Sequence, residues 1–144
     1  MACEIRLLGS GDADVLSAVA PDVFDDPLDL AATKTFLTDP RHHIAVVIDA
    51  GVVVGFASAV HYVHPDKPSP ELWVNEVGVA ATHRGQGLGK QLMRALIDLA
   101  RQLGCREAWV LTDRDNAAAM RLYKAVGGIA TRDHVMFTFP VDDL

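Results

Sequence analysis

The stretch THRGQGLGKQL, Thr82 to Leu92, sets three glycines between two strongly patterned runs. Before it lies ELWVNEVGV, which reads as an extended strand. After it Leu88, Leu92, Ala95, Leu96, Leu99 and Leu103 recur at helical spacing until Gly104, which can end the helix. Glycines at such a junction let the backbone approach a ligand closely, and a helix start offers unpaired N–H groups and the positive end of its dipole to an anion. A strand, a glycine loop and a helix in that order predict a mixed α/β domain with a phosphate-binding corner. The competing reading is an ordinary glycine-rich turn.

Spacing separates the phosphate loops. A nucleotide-hydrolase loop needs G-x-x-x-x-G-K-[ST], but Arg84 stands five residues before Gly89, and Gln91 follows Lys90 where a metal-binding hydroxyl is required. A dinucleotide fingerprint needs G-x-G-x-x-G near the start of a βαβ unit. Here the glycines run G-x-G-x-G in the second half of the chain. What remains is Arg84-x-x-Gly87-x-Gly89.

The rest of the chain supplies a frame for that corner. CEIRLL reads as a first strand, GSGDADVLSAVA as a turn and short helix that Asp12 can cap, and the segment from Pro21 to Pro40 as a second helical region with Pro27 at a helix start. HHIAVVID and VVVGFASAVHYV, joined by Ala-Gly, predict an antiparallel hairpin, followed by a proline-rich loop HPDKPSP. In ELWVNEVGV simple alternation puts Leu72, Val74 and Glu76 on one side, with Trp73, Asn75, Val77 and Val79 on the other. REAWVLT predicts a strand, DNAAAMRLYKAVGG a helix with a glycine stop, and IATRDHVMFTFPV a final strand or strand pair. No repeat or linker divides the 144 residues, so one domain over residues 1–144 is expected.

A net charge of −6 argues against generic nucleic-acid binding and favours a cationic partner. The chain has no CxxC pair, and neither Cys3 nor Cys105 has a histidine at ligand spacing, so no zinc site is implied. His42 and His43, adjacent on a strand, point to opposite faces and cannot share a ligand. No run approaches the ~18 apolar residues of a membrane span, and the N-terminus lacks a signal-peptide core. The expectation is a cytoplasmic protein with no membrane partner.

VNEVGVAATHRGQGLGKQLMRALIDLA resembles the acetyl-CoA-binding motif of the GNAT N-acetyltransferase superfamily, [QR]-x-x-G-x-[GA], and NAAAMRLYKAVGG resembles its second motif. The phrases around HPDKP, NEVGV and LTDRDN are similar to GNAT-type aminoglycoside 3-N-acetyltransferases. The resemblance implies the GNAT fold, a central, mostly antiparallel sheet flanked by helices in which the fourth and fifth strands splay apart. It also implies acetyl-CoA as cosubstrate with no metal, a small polycationic amine as acceptor, and an antibiotic-resistance activity by direct attack in a ternary complex, at the 3-amino group. Members are often dimers, so a homodimer is an admissible assembly.

Carried onto this chain, the backbone amides of Arg84, Gly85, Gln86, Gly87, Leu88, Gly89 and Lys90 become the pyrophosphate cradle. The pantetheine arm then runs along Val77, Gly78 and Val79, with Gly78 expected to allow the bulge at which the strand leaves its neighbour. Asn116 is either a pantetheine contact or a helix cap. Tyr123, seven residues later on a similar helical face, is the proton donor by resemblance, a phenol near pKa ~10 suiting a thiolate leaving group. Glu76 is the candidate base, because a carboxylate inside an apolar strand is unusual without a chemical role. Asp25, Asp26, Asp66, Asp113 and Asp115, together with Tyr62 and His64, form the expected rim for a polycation. Other acceptors, such as a polyamine, a protein amine or another small amine, and a catalytically silent acyl-CoA-binding module, are the alternatives.

Overall fold

A computed structural model describes residues 3–143. Five strands form one sheet in the order β1 (Glu4–Leu7), β2 (His42–Asp49), β3 (Val52–His64), β4 (Lys67–Val79), β5 (Glu107–Val110). All neighbours are antiparallel except β4 and β5, which run parallel because α2 (Leu88–Gln102) crosses between them. α1 (Leu30–Thr38) precedes β2 and α3 (Ala117–Ala125) follows β5. This is the mixed α/β architecture read from the sequence.

The β2–β3 connection is a two-residue turn with Ala50 and Gly51 both left-handed, which matches the twist of the flanking strands. Register then assigns the faces, since residues opposite each other project to the same side. Ala57 and Ala59 of β3 share one face with Val77 and Val74 of β4, and α2 covers it with Leu88, Leu92 and Leu96, all buried. The other face carries Phe56, Ser58 and Val60 opposite Gly78, Glu76 and Trp73. There Phe24 stacks on Phe56 at 4.0 Å between ring centroids, and Phe36 of α1 meets His42 at 5.1 Å. With both faces covered, Val46, Val47, Val53 and Leu72 lose all solvent contact. Each such side chain contributes about 1.5–3 kcal/mol.

Several expectations need correction. The proline-rich loop is not a loop: the hairpin turns at Pro65–Asp66, and β4 already begins at Lys67. Pro68 and Pro70 fall where regular pairing lapses between Tyr62 and His64, so their missing N–H groups cost no ladder bond. Asp12 precedes a 3-10 turn (Ala13–Ser17) without capping it by its side chain. Its carboxylate instead accepts the Gly9 N–H at 2.7 Å. The bulge lies at Asn75, where Glu76 faces Ser58 but Val74 faces Ala59, and not at Gly78. Simple alternation therefore fails at this point, and Glu76 projects away from Leu72 and Val74.

The last expected strand, IATRDHVMFTFPV, forms no ladder among the described residues. The chain leaves α3 through Gly127, with φ at 97°, and hydrogen bonds Gly127 N–H to Lys124 O at 3.1 Å and Gly128 N–H to Tyr123 O at 2.8 Å lock the exit. Beyond it Ile129, Val135, Met136, Phe137 and Phe139 stand 68–92% exposed.

Candidate active site

β5 accompanies β4 only from Glu71 to Val74, so beyond Val110 the two strands part. The gap is a cleft of about 340 Å³ between the end of β4, the residues after β5 and the start of α3. Glu76, Val77, Gly78, Val79, Arg84, Asn116 and Tyr123 line it, as does Asp25. All of these are candidates on sequence grounds, and the fold draws them together from separate segments.

The glycine loop reaches the cleft through Arg84, which lines it, and Gly85 to Lys90 follow outside that lining. Gly85 and Gly87 both take left-handed φ, 79° and 78°, a conformation that turns successive N–H groups to one side as an anion nest. Gly87 is the N-cap residue of α2, and no side chain caps that terminus, so its first amides and helix dipole face outward. This geometry suits an anion, with the amides of Gly85 to Lys90 as the available donors. Gly89 also serves packing, since a Cβ there would lie 3.3 Å from Leu122, and the bare backbone seats α3 against α2. Arg84 turns back, its Nε donating to Val79 O at 3.0 Å.

Gly78 is needed for space. A Cβ at this position would stand 2.4 Å from the Val23 carbonyl oxygen and 3.0 Å from Phe56, so the bare backbone admits the 21–26 segment over the strand. That segment is pinned by Asp22, a residue that sequence reasoning misses. Asp22 adopts φ of 62°, a left-handed conformation that aspartate tolerates better than most residues. Its carboxylate accepts the Ala81 N–H at 3.1 Å and lies 3.6 Å from Arg84 Nη2. The one local signal is Pro-Asp at positions 21–22, a turn opener that says nothing about a partner sixty residues on.

Glu76 projects from β4 beside the bulge, next to buried Ser58 across the ladder. Tyr123 is half-buried on α3, and burial pushes its phenol above the ordinary tyrosine value, which keeps its proton in place at neutral pH. Asn116 caps α3 through its side-chain oxygen, which accepts the Ala119 N–H at 3.1 Å, while also lining the cleft. Capping thus does not withdraw the residue from the cleft.

The acidic rim divides. Asp25 borders the cleft, and with Asp22 it also borders a neighbouring groove of about 760 Å³ that adds Asp14 and Asp26. Asp113 and Asp115 stay outside both, exposed in the β5–α3 turn, where Asp113 O accepts the Asn116 N–H. Tyr62, His64 and Asp66 lie at the β3–β4 hairpin, and Tyr62 pairs with Glu71, roughly 16 Å along the strand from Glu76 at ~3.3 Å per residue. They do not join the cleft. His64 Nε2 and Glu71 Oε2 are 2.7 Å apart, Tyr62 donates to Glu71 at 3.1 Å, and Trp109 Nε1–H donates to Tyr62 at 2.9 Å. The His64 hydrogen bond, ahead of that from Tyr62, holds the Glu71 carboxyl below its usual range against partial burial.

Two histidine contacts are invisible to spacing. His43 Nε2 and His61 Nδ1 stand 2.7 Å apart across β2 and β3. Cys3, Asp49 and His83, remote in sequence, bring their ligand atoms within 4.8 Å of one another, with His83 Nε2 2.7 Å from Asp49.

Comparison with known proteins points the same way. The model of the acetyltransferase (GNAT) family matches residues 14–127. The chain is 34% identical over 125 residues to the N-alpha-acetyltransferase RimI of Mycobacterium tuberculosis, an alignment spanning 85% of this chain and 76% of that enzyme. It is 37% identical over 89 residues to streptothricin acetyltransferase of Streptomyces lavendulae, across 62% of this chain but only 44% of that enzyme's length. Among solved structures, an aminoglycoside acetyltransferase from an uncultured soil metagenomic sample, in complex with sisomicin, has a TM-score of 0.79 at 18% identity over 95% of each chain. A ribosomal-protein-alanine N-acetyltransferase from Brucella melitensis biovar Abortus has a TM-score of 0.73 at 23% identity, over 96% of this chain and 100% of that one. At such identities the likeness is one of fold.

Proposed function

The chain belongs to the GNAT acetyltransferase family, and from that premise we propose that it acetylates an amine of an aminoglycoside, at the 3-amino position, by direct attack in a ternary complex. Acetyl-CoA, the acetyl donor of the family, supplies the activated acyl group and the thiolate that departs. Everything else falls to the residues of the cleft. The amides of Gly85 to Lys90 hold the pyrophosphate, and the open edge of β4 from Val77 to Val79 offers backbone groups along which an extended arm lies. Glu76 takes a proton from the incoming ammonium, directly or through water, and Tyr123 gives one to the leaving sulfur. The raised phenol is suited to the second role, since it stays protonated until the thiolate forms.

The observation that carries the acceptor class is the continuity of the cleft with the acidic groove. Asp22 and Asp25 border both, and Asp14 and Asp26 extend the negative wall, so a polycation bound in the groove presents an amine toward Glu76. A second reading, acetylation of a peptide N-terminal amine, is favoured by the 34% identity to RimI. One panel separates them: CoA release measured with aminoglycosides, polyamines and short peptides. Turnover with aminoglycosides that falls on Asp25→Asn supports the first reading; turnover confined to peptides refutes it.

A further inference from the structure

We propose that Cys3, Asp49 and His83 form a zinc-binding site that fastens the approach to the glycine loop to the edge of the sheet. This goes beyond acetyl transfer and depends neither on the acceptor nor on the roles of Glu76 and Tyr123. Spacing along the chain conceals the group, because its members come from three separate segments. Glu4 pairs with Ile48 in the β1–β2 ladder, so Cys3 and Asp49 come next along the two strands, at the end where β2 turns into β3. The left-handed pair Ala50 and Gly51 closes that turn and fixes Asp49, the last residue of β2. His83 ends the 3-10 turn Ala81–His83 after β4, and its N–H donates to Ala80 O at 2.8 Å. Ala80 N–H in turn donates to Val54 O at 2.8 Å, which holds the turn against β3. One thiol sulfur, one imidazole nitrogen and one carboxylate oxygen thereby come within 4.8 Å of one another.

The donor set selects the ion. Thiolate with imidazole favours zinc over magnesium or calcium, which take oxygen ligands, and three protein ligands leave the fourth tetrahedral position to water. His83 and Asp49 keep 19% and 29% of their side-chain surface in solvent, so an ion has a way in and water reaches the fourth position. Bonds of about 2.0–2.3 Å set tetrahedral ligand atoms about 3.3–3.6 Å apart. His83 Nε2 and Asp49 Oδ2, now 2.7 Å apart, must open by about 0.6 Å, and no separation in the group must close by more than about 1.2 Å. Thr82 Oγ1 lies 2.8 Å from His83 Nδ1. With Nε2 on the ion, Nδ1 carries the ring proton and donates it to that hydroxyl, the outer hydrogen bond that orients a metal-bound histidine. Binding expels the thiol proton and the proton between Nε2 and Asp49, and the charges of thiolate and carboxylate balance the dication. None of the three residues lines the cleft, so the role is structural. Yet His83 directly precedes Arg84 and the left-handed Gly85 and Gly87, so the ion anchors the loop that offers its amides to an anion.

The test uses the full chain without an affinity tag. Cobalt(II), the spectroscopic stand-in for zinc, is expected to bind one ion per chain with a thiolate-to-metal charge-transfer band and the intense visible bands of a tetrahedral site, which one equivalent of zinc should bleach. Cys3→Ser should abolish the charge-transfer band, and His83→Gln should weaken zinc binding by about a hundredfold or more. Cys105→Ser, outside the group, should change neither, and circular dichroism checks that each variant is folded. Two readouts need no variant: zinc should raise the melting temperature of the parent chain and protect Cys3, but not Cys105, from alkylation. A parent chain without the charge-transfer band overturns the proposal, as does a band that survives Cys3→Ser or is lost in Cys105→Ser. Cys3 alkylation indifferent to zinc, or zinc affinity unchanged in His83→Gln, overturns it as well.

Discussion

Substituting alanine for Gly78 tests the link between strand geometry and acceptor chemistry. The new Cβ would sit 2.4 Å from the Val23 carbonyl oxygen, whereas carbon and oxygen approach to about 3.3 Å at closest. The 21–26 segment must therefore retreat by roughly 0.9 Å, because β4 is held on its other side by α2. Phe56, 3.0 Å from the same Cβ, must also tilt within its 4.0 Å stack on Phe24. Overpacking of this kind costs about 2 kcal/mol, and for a domain of this size that lowers the melting temperature by about 6 °C. The retreat carries Asp22 and Asp25 away from Glu76, so kcat/KM for the amine should fall by about ten- to a hundredfold. Affinity for acetyl-CoA should change far less, since the left-handed pair Gly85 and Gly87 lies outside the disturbance. Gly89→Ala is the control: its Cβ meets only the flexible end of Leu122 at 3.3 Å, and helix propensity offsets the crowding, so the melting temperature should barely move. The resemblance motif, which admits glycine or alanine at this position, agrees. Differential scanning calorimetry and initial rates decide the matter. An unchanged melting temperature and an unchanged amine kcat/KM in Gly78→Ala would refute the reasoning.

Tyr123→Phe should lower kcat by about a hundredfold with acetyl-CoA affinity preserved, measured by single-turnover rates and titration calorimetry; equal loss of binding means the ring is structural. Glu76→Gln should depress turnover most at low pH, where more of the amine arrives protonated, and a flat ratio to the parent across pH argues against a base. Burial, then the neighbouring His61, holds His43 down to about 4 from 6.5, so the unfolded chain binds the extra proton between those values. Stability should fall by about 2 kcal/mol as pH drops from 6.5 to 4, less than the full shift because the ring is only half-buried, and His43→Gln should flatten that slope in urea melts.

What is legible in the sequence follows from the range of each signal. Leu92, Leu96 and Gly104 mark α2 through spacing within one helix, and Arg84, Gly87, Asn116 and Tyr123 belong to local motifs, so all are readable. The hairpin turn at Pro65–Asp66 escapes because proline punctuation looks the same in a loop and at an irregular edge. Tyr62, His64 and Asp66 are expected on the rim, and the hairpin holds them away from the cleft. Asp22 and Val23 give no local sign of their partners, because Ala81, Arg84 and Gly78 come from distant segments. The segment after Gly128 has a strand pattern that names no partner, and within one chain it has none among the described residues.

The extra residue at Asn75 divides β4 into two stretches of opposite phase. Val74 and Val77, three apart, both face α2, while Trp73 and Glu76, also three apart, both face the other way. A one-residue deletion at Asn75 would restore perfect alternation with every side chain still on its present face, since Val74 and Glu76 would then follow one another opposite Ala59 and Ser58. The inserted residue instead falls where β5 stops accompanying β4 and itself lines the cleft, so its deletion would test the bend of the strand at the cleft while leaving the facing of Glu76 unchanged.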